Sequence, residues 1–385
     1  MKYPYVEFGG YRYFPSIRFL KSVVDKNEVI RVGVEDLPIN FERAPCTADS
    51  FSVLLYVGSC CNFDCRYCFK DSRNEYNVRC SDLETLVRVL GIKKLFLLGG
   101  EVVFYADRVL ELLSAAVSAG VDKVVIYTNG ISADEDLMGS ILSFGCALDF
   151  IVTVHPENFP TFTECKGWYD KVLDVLSAFG LHTNYAYMLC PGGVSVDWLD
   201  DFVVHVGNKV TSLMIYPVLS LAEPLDNANS LVKVQQVLGS LLLTAMEVNR
   251  WYAIWDRDII FQTLSKRKCL YDRLYLDDKG FVYGCVAGCS ENLRWSSNEL
   301  ICHVNDINPG KVRSYQVDRS LRKAKAECSE CIGNIACYFE SCPYVECTDL
   351  VRSVCEFYGI GTGLRVIQKW LYRGKVDAGE VQFLL

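Results

Sequence analysis

Apolar, β-branched runs ending in short polar or glycine turns recur along the middle of the chain, at 52–57, 94–98, 123–128, 149–154, 183–189 and 211–218. Between them, 82–91, 105–119, 134–144 and 168–179 carry Leu, Val and Ala at helical spacing. Strands that are apolar without a break are those buried on both faces of a parallel sheet, so the rhythm predicts six βα units. The fold class is α/β, either a barrel-like or an open sheet. In both forms, functional groups gather at the C-terminal ends of the strands.

The flanks read differently. Residues 1–50 are aromatic-rich and broken by Gly9-Gly10 and several prolines, which suggests one or two short strands and a loop. A Leu-rich helical bridge over 231–265 contains Trp251 and Trp255. Residues 266–360 hold short strands around 274–283 and then little hydrophobic periodicity. The last segment, 361–385, reads as a helix (362–372) and a short strand. The expected segments are therefore 1–50, 51–230, 231–265, 266–360 and 361–385, with no repeats and no low-complexity stretch.

Composition narrows the function classes. With 39 basic against 47 acidic residues and a net charge of -8, the chain lacks the basic stripe of a nucleic-acid binder. No apolar run reaches the roughly 18 residues needed to cross a bilayer, and Met1-Lys2-Tyr3-Pro4-Tyr5 does not open a secretion signal. The expectation is a cytoplasmic protein with neither nucleic acid nor membrane as partner.

Cysteine changes the picture most. There are 19, about 5% of the chain, below the roughly 8–10% of a disulfide scaffold. They cluster: Cys60, Cys61, Cys65 and Cys68 sit together, and ten more lie between Cys269 and Cys355. In a reducing compartment such clusters point to metal ligands, and with only four His the thiolates suit iron–sulfur clusters or zinc. A tail rich in cysteine and poor in core needs metal to hold it together. Cys46, Cys60, Cys80, Cys146, Cys165 and Cys190 read as plain buried or half-buried thiols.

The first group follows the first predicted strand directly and has the spacing Cys61-x3-Cys65-x2-Cys68. Three thiolates on one loop hold three irons of a four-iron cluster and leave the fourth open. Most iron–sulfur proteins supply four Cys, so a missing fourth ligand implies that something else binds there. The bland alternative is a zinc knuckle or buried thiols.

With three further features, this motif resembles the radical S-adenosylmethionine superfamily over residues 50–220. Tyr67 precedes the last cysteine; Gly99-Gly100-Glu101 follows the strand Leu95–Leu98; Thr128-Asn129-Gly130 ends the third strand; and Val152-Thr153-Val154-His155 ends the next. The resemblance implies a partial (β/α)6 TIM-like barrel. It also implies that Gly-Gly-Glu binds the amino group of the cofactor's methionine, glycines letting the backbone come close and the carboxylate pairing with the ammonium. Tyr67, Asn129 and Thr153 become cofactor-binding candidates, although Asn129 and Thr153 read equally as strand-end turn residues. His155 stands where relatives carry an acid. The implied chemistry is one-electron reduction of the sulfonium and hydrogen abstraction by a 5′-deoxyadenosyl radical.

The second group, Cys269 and Cys285 followed by Cys328-x2-Cys331-x5-Cys337-x4-Cys342, with Cys347 and Cys355 beyond, resembles the SPASM domain. That domain carries two auxiliary [4Fe–4S] clusters in peptide-modifying relatives. By analogy Cys269, Cys285 and Cys342 hold the first, and Cys328, Cys331, Cys337 and Cys355 the second, with Cys347 competing for the last place. The family spacing has three residues between its third and fourth cysteines, whereas here there are four. Thr263 stands where some relatives have a further cysteine, so the first auxiliary cluster has an open iron or recruits Cys289 or Cys302. A structural zinc region is the bland alternative.

The function so implied is hydrogen abstraction from a ribosomal precursor peptide, giving a carbon–carbon or thioether crosslink or an oxidation, with a flavodoxin or ferredoxin-type electron donor. Residues 1–50 are short for a fused leader-binding domain, so a separate leader-peptide-binding protein or leader-free recognition is expected. A sulfatase-maturing or tetrapyrrole-modifying enzyme is the alternative; against the former, Val286 follows Cys285 where relatives place an Asp. A non-catalytic iron–sulfur or zinc protein is the third reading. No residue is singled out as the one that quenches the radical.

Overall fold

In the computed structural model, residues 2–8, 11–14, 19–22, 31–36, 51–65, 68, 77–130, 135–181, 183–190, 193–206, 209–210, 212–217, 236, 273–284, 299–321 and 382–383 are described. The chain divides into two compact units that interleave along the sequence. One comprises Met1–Ala44, Leu225–Leu270 and Arg322–Leu385; the other comprises Pro45–Pro224 and Tyr271–Leu321.

In the first unit, β1 (Lys2–Phe8), β2 (Tyr11–Phe14), β3 (Phe19–Ser22) and β4 (Arg31–Asp36) form an antiparallel sheet. The two-residue strand Gln382–Phe383 adds to β3. The sequence alone suggests one or two strands here. One reason for the larger sheet is a polar network that local apolar pattern does not show. Arg12 on β2 donates through Nε to Glu7 on β1 at 2.7 Å, reaches Glu35 on β4 with Nη1, and lies 4.1 Å from the centre of the Tyr5 ring.

The second unit carries the six expected strands. They are β5 (Ser52–Tyr56), β6 (Lys94–Leu98), β7 (Lys123–Thr128), β8 (Ala147–Val154), β9 (Thr183–Leu189) and β10 (Ser212–Pro217). All six pair in parallel and in chain order. The connecting helices are α1 (Cys80–Leu90), α2 (Ala106–Ala119), α3 (Glu135–Leu142), α4 (Phe162–Ala178) and α5 (Val194–Val206). Parallel crossovers are right-handed, and with no reversal of strand order every helix falls on the same face. A doubly wound sheet would reverse its order and cover both faces. This topology is barrel-like and open, with β10 at one edge.

Burial follows that geometry. Side chains facing the helices, such as Val53, Leu55, Leu95, Leu97, Val124, Ile126, Val152 and Val154, are buried. The opposite face holds a separate cluster of Leu54, Phe96 and Val125, with Leu98, Tyr127, Ile151 and Tyr275 packed on it and only partly buried. Strand β8 shows the alternation directly: Phe150, Val152 and Val154 are buried while Ile151 and Thr153 are half-buried. Between α2 and β7, Gly120 adopts φ 117° and its N–H caps the Ala116 and Val117 carbonyls, a left-handed turn suited to glycine. Helix α4 starts six residues earlier than its apolar spacing suggests, because Thr161 caps it by accepting the Glu164 N–H.

Three more strands extend this sheet. Strand β11 (Arg273–Leu276) pairs in parallel with β5, and β12 (Phe281–Tyr283) and β13 (Leu300–His303) continue antiparallel, followed by α6 (Pro309–Leu321). The short strands expected around 274–283 thus join the sheet of the six parallel strands. Among the described residues no helix is long and apolar enough to cross a membrane.

Candidate cofactor site at the strand ends

The loop after β5 is held at its base by the end of β6. Val57 N–H donates to the Leu98 carbonyl at 2.8 Å, Gly100 N–H to Gly58 at 2.7 Å, and Glu101 N–H to Cys60 at 2.7 Å. The parallel ladder therefore runs on past both strands, which demands close backbone approach. A Cβ at Gly99 would stand 2.7 Å from the Gly58 carbonyl oxygen, and one at Gly100 would strike the carbonyls of Ser59 and Cys60. The two glycines are required by the protein's own backbone. Tyr105, just after the motif, accepts the Cys60 N–H at 2.7 Å through its hydroxyl.

Above this base lie the three thiols. Cys61 and Cys65 are half-buried and Cys68 is exposed, its N–H donating to the Cys65 carbonyl at 2.9 Å. Nitrogen donors face two of the sulfurs. Asn129 Nδ2 lies 3.5 Å from Cys61 Sγ and 2.7 Å from Asn62 Oδ1, and the Phe63 N–H points at Cys61 Sγ from 3.4 Å. Asn158 Nδ2 is 3.2 Å from Cys65 Sγ, and His155 Nδ1 is 3.7 Å from it. The Phe63 ring packs against His155, Phe159 and Trp168, and Trp168 Nε1 donates to the Asn129 carbonyl at 3.1 Å. Burial pushes the His155 imidazole down to about 4, so it is neutral near pH 7.

The donor set fits an iron–sulfur cluster. Three soft thiols share one loop, and N–H groups are aimed at sulfurs that would carry negative charge as ligands. Among the described residues, no group of three His, Cys, Asp or Glu is gathered as ligands for a single metal ion.

The Glu101 carboxylate faces inward. It is fully buried and accepts Thr128 Oγ1–H at 2.6 Å, the Asn129 N–H at 2.6 Å and the Val103 N–H at 3.4 Å. Burial raises its pKa, an effect these bonds partly offset. Thr128 Oγ1 in turn accepts the Gly130 N–H at 2.9 Å. The carboxylate that the family resemblance would pair with an ammonium is thus bonded to the end of β7. Thr153 Oγ1 donates to the Thr128 carbonyl at 3.1 Å and lies 2.9 Å from His155 Nε2.

The fold therefore brings together Cys61, Cys65, Cys68, Gly99, Gly100, Glu101, Asn129 and Thr153. Tyr67 lies outside the described residues, as do Cys269, Cys285, Cys289, Cys328, Cys331, Cys337, Cys342, Cys347, Cys355 and Cys46. Cys302 sits half-buried on β13, its thiol pKa raised by burial. Cys165 and Cys190 are buried and Cys80 and Cys146 half-buried, but Cys60 is exposed, a departure from the buried or half-buried reading. Its side chain falls on a loop that leaves the sheet, where apolar neighbours give no guide. Sequence reasoning missed Asn158, Phe63 and Tyr105. For Asn158 the available signal was its position just past the end of β8, since sites gather at strand ends.

Residues 55–192 match the family described as Radical SAM superfamily, a span that takes in the cysteine loop, Gly-Gly-Glu, Asn129 and Thr153. That family implies S-adenosylmethionine and a [4Fe–4S] cluster, and an enzyme. A solved structure of hexahistidine-tagged anSMEcpe with bound AdoMet is similar at TM-score 0.60 and 15% identity, covering 83% of this chain and 98% of that one. A likeness at that identity is one of fold. Streptococcus suis SuiB is also similar, at TM-score 0.48 and 12% identity, covering 78% of this chain and 75% of that one. Comparison with the curated proteins finds no match.

Proposed function

We propose that this protein is a radical S-adenosylmethionine enzyme that modifies a ribosomal precursor peptide in the cytoplasm. The observation that carries the first half is the three-cysteine loop at the C-terminal end of β5, fastened to Gly99-Gly100-Glu101 by two 2.7 Å backbone hydrogen bonds. Cys61, Cys65 and Cys68 would hold three irons and leave the fourth for the cofactor. Gly99, Gly100, Glu101, Asn129 and Thr153, with Tyr67, would hold S-adenosylmethionine. The chemistry supplied by the bound pair is one-electron cleavage of the sulfonium to a hydrogen-abstracting 5′-deoxyadenosyl radical. The chain's part is to fix the thiols, to orient the cofactor, and to keep water away with the apolar wall of Leu98, Tyr127 and Ile151.

The peptide assignment rests on the tail cysteines. Cys269, Cys285 and Cys342, and Cys328, Cys331, Cys337 and Cys355, would carry two auxiliary [4Fe–4S] clusters able to accept the electron released at product formation. Partners would be the precursor peptide, a separate leader-peptide-binding protein, and a flavodoxin or ferredoxin-type donor. A sulfatase-maturing role is the second reading, because an AdoMet-bound anSME shares the fold; Val286 in place of an Asp weighs against it.

The test is anaerobic turnover with dithionite, S-adenosylmethionine and synthetic short peptides encoded beside the gene, read by mass spectrometry. Loss of two hydrogens from a peptide, matched by 5′-deoxyadenosine, is the expected result. Turnover of a sulfatase-derived peptide instead would move the assignment to the second reading.

A further inference from the structure

We propose that His155 and Asn158 hydrogen-bond the sulfur of Cys65 as a cluster ligand and thereby raise the reduction potential of the cluster on the first cysteine loop. The proposal rests on the reading of that loop as a cluster site and adds to it a role for two residues at the end of β8.

Both side chains approach one sulfur. Asn158 Nδ2 lies at 3.2 Å and His155 Nδ1 at 3.7 Å, within the reach of N–H···S contacts. Their placement is built by the fold. Asn158 belongs to the short 3-10 turn Pro156–Asn158 that follows β8, and its N–H donates to the His155 carbonyl at 3.1 Å. The His155 N–H donates to Tyr169 Oη at 2.9 Å, and that hydroxyl donates to the Thr153 carbonyl at 3.1 Å. Phe63 meets the imidazole edge-on at a centroid distance of 5.8 Å, and Thr153 Oγ1 meets Nε2 at 2.9 Å. Phe63 and Thr153 hold the ring and Tyr169 holds its backbone, with Nδ1 facing the thiol.

The chain Thr128 O, Thr153 Oγ1, His155, Cys65 Sγ serves either state of the sulfur. While Cys65 is a thiol, Thr153 donates to the Thr128 carbonyl, the ring carries its proton on Nε2, and Nδ1 accepts from S–H. Ligation releases the thiol proton. With a ring proton on Nδ1, His155 donates to the sulfur at 3.7 Å, and the Thr153 hydroxyl, 2.9 Å from Nε2, turns to donate there. One hydroxyl rotation and one tautomer change convert an acceptor into a donor. Hydrogen bonds to cluster sulfurs favour the reduced, more negative state, and outer-shell partners of this kind tune a site without touching the metal.

The experiment is an EPR-monitored potentiometric titration of the anaerobically reconstituted full chain, without S-adenosylmethionine. The signal missing from a Cys61→Ala/Cys65→Ala/Cys68→Ala variant belongs to the first loop. His155→Phe and Asn158→Leu should each lower its midpoint, a tenfold loss in the reduction equilibrium corresponding to about 59 mV for a one-electron couple. His155→Asn, whose Nδ2 takes the place of Nδ1, should recover most of the shift, which a packing role would not explain. If His155→Phe fails to load iron, Asn158→Leu and Thr153→Val carry the test. Unchanged midpoints in iron-loaded variants overturn the proposal. Absence of any signal that depends on the three cysteines overturns instead the cluster reading beneath it.

Discussion

Glu101 Oε2 accepts the backbone N–H of Asn129 at 2.6 Å, so the motif that ends β6 is tied inside the protein to the end of β7. The other carboxylate oxygen takes the Thr128 hydroxyl, also at 2.6 Å. Two strand ends that flank the site are thus set by one buried side chain.

Removing that side chain should cost stability before it costs chemistry. Glu101→Ala leaves the Asn129 N–H and the Thr128 hydroxyl without their acceptor and opens a cavity, for a loss of about 3 kcal/mol. Chemical denaturation of the metal-free protein measures it. Because burial raises the pKa of Glu101, its ionisation opposes folding. The proton-linked stability is greatest below the ordinary carboxylate range and falls as pH rises through the folded value. Glu101→Gln lacks this dependence, so wild type should lose stability relative to the Gln variant as pH rises across that window.

Gly100 should not tolerate a methyl group. Its Cβ would strike the Ser59 and Cys60 carbonyls, which are backbone and cannot rotate away. Gly100→Ala is expected to break the Gly100–Gly58 and Glu101–Cys60 bonds at a cost of about 2 kcal/mol and to lower iron bound at the first loop. Thermal melting of the metal-free protein and iron analysis after reconstitution separate the two effects.

Cys165 should resist alkylation and weaken the fold in alkali. It is fully buried, and its thiol is pushed up to about 12. Iodoacetamide at pH 8.5 should label Cys60 and spare Cys165 in the native protein, as read by peptide mapping. The unfolded thiol ionises near pH 9 while the folded one does not. Stability is therefore lost as pH climbs above 9, by about 2 kcal/mol at pH 10.5, and Cys165→Ala should flatten that slope.

The six parallel strands were legible because strands buried on both faces read as unbroken apolar runs, as in Val53-Leu54-Leu55 and Leu95–Leu98. The cysteine loop was legible through its spacing. The contacts that shape the site were not, because they join residues far apart in the chain. Asn158 meets Cys65 across 93 positions, Asn129 meets Asn62 across 67, and Glu101 finds Thr128 across 27. Strand β11 shows the same limit: its alternation marks a strand, but nothing local indicates pairing with β5. Glycine gave a partial signal. Gly99-Gly100 could be read as close approach, but only the ladder to Gly58 and Cys60 shows what approaches.

The central claim is that Cys61, Cys65 and Cys68 hold the cluster that cleaves S-adenosylmethionine. The most direct measurement is iron content together with 5′-deoxyadenosine formation under dithionite, in wild type and in the triple alanine variant. About four irons lost and no deoxyadenosine formed in the variant, from a wild type holding about twelve, is the predicted result. Zinc in place of iron, or full iron with no cofactor cleavage in wild type, would contradict it.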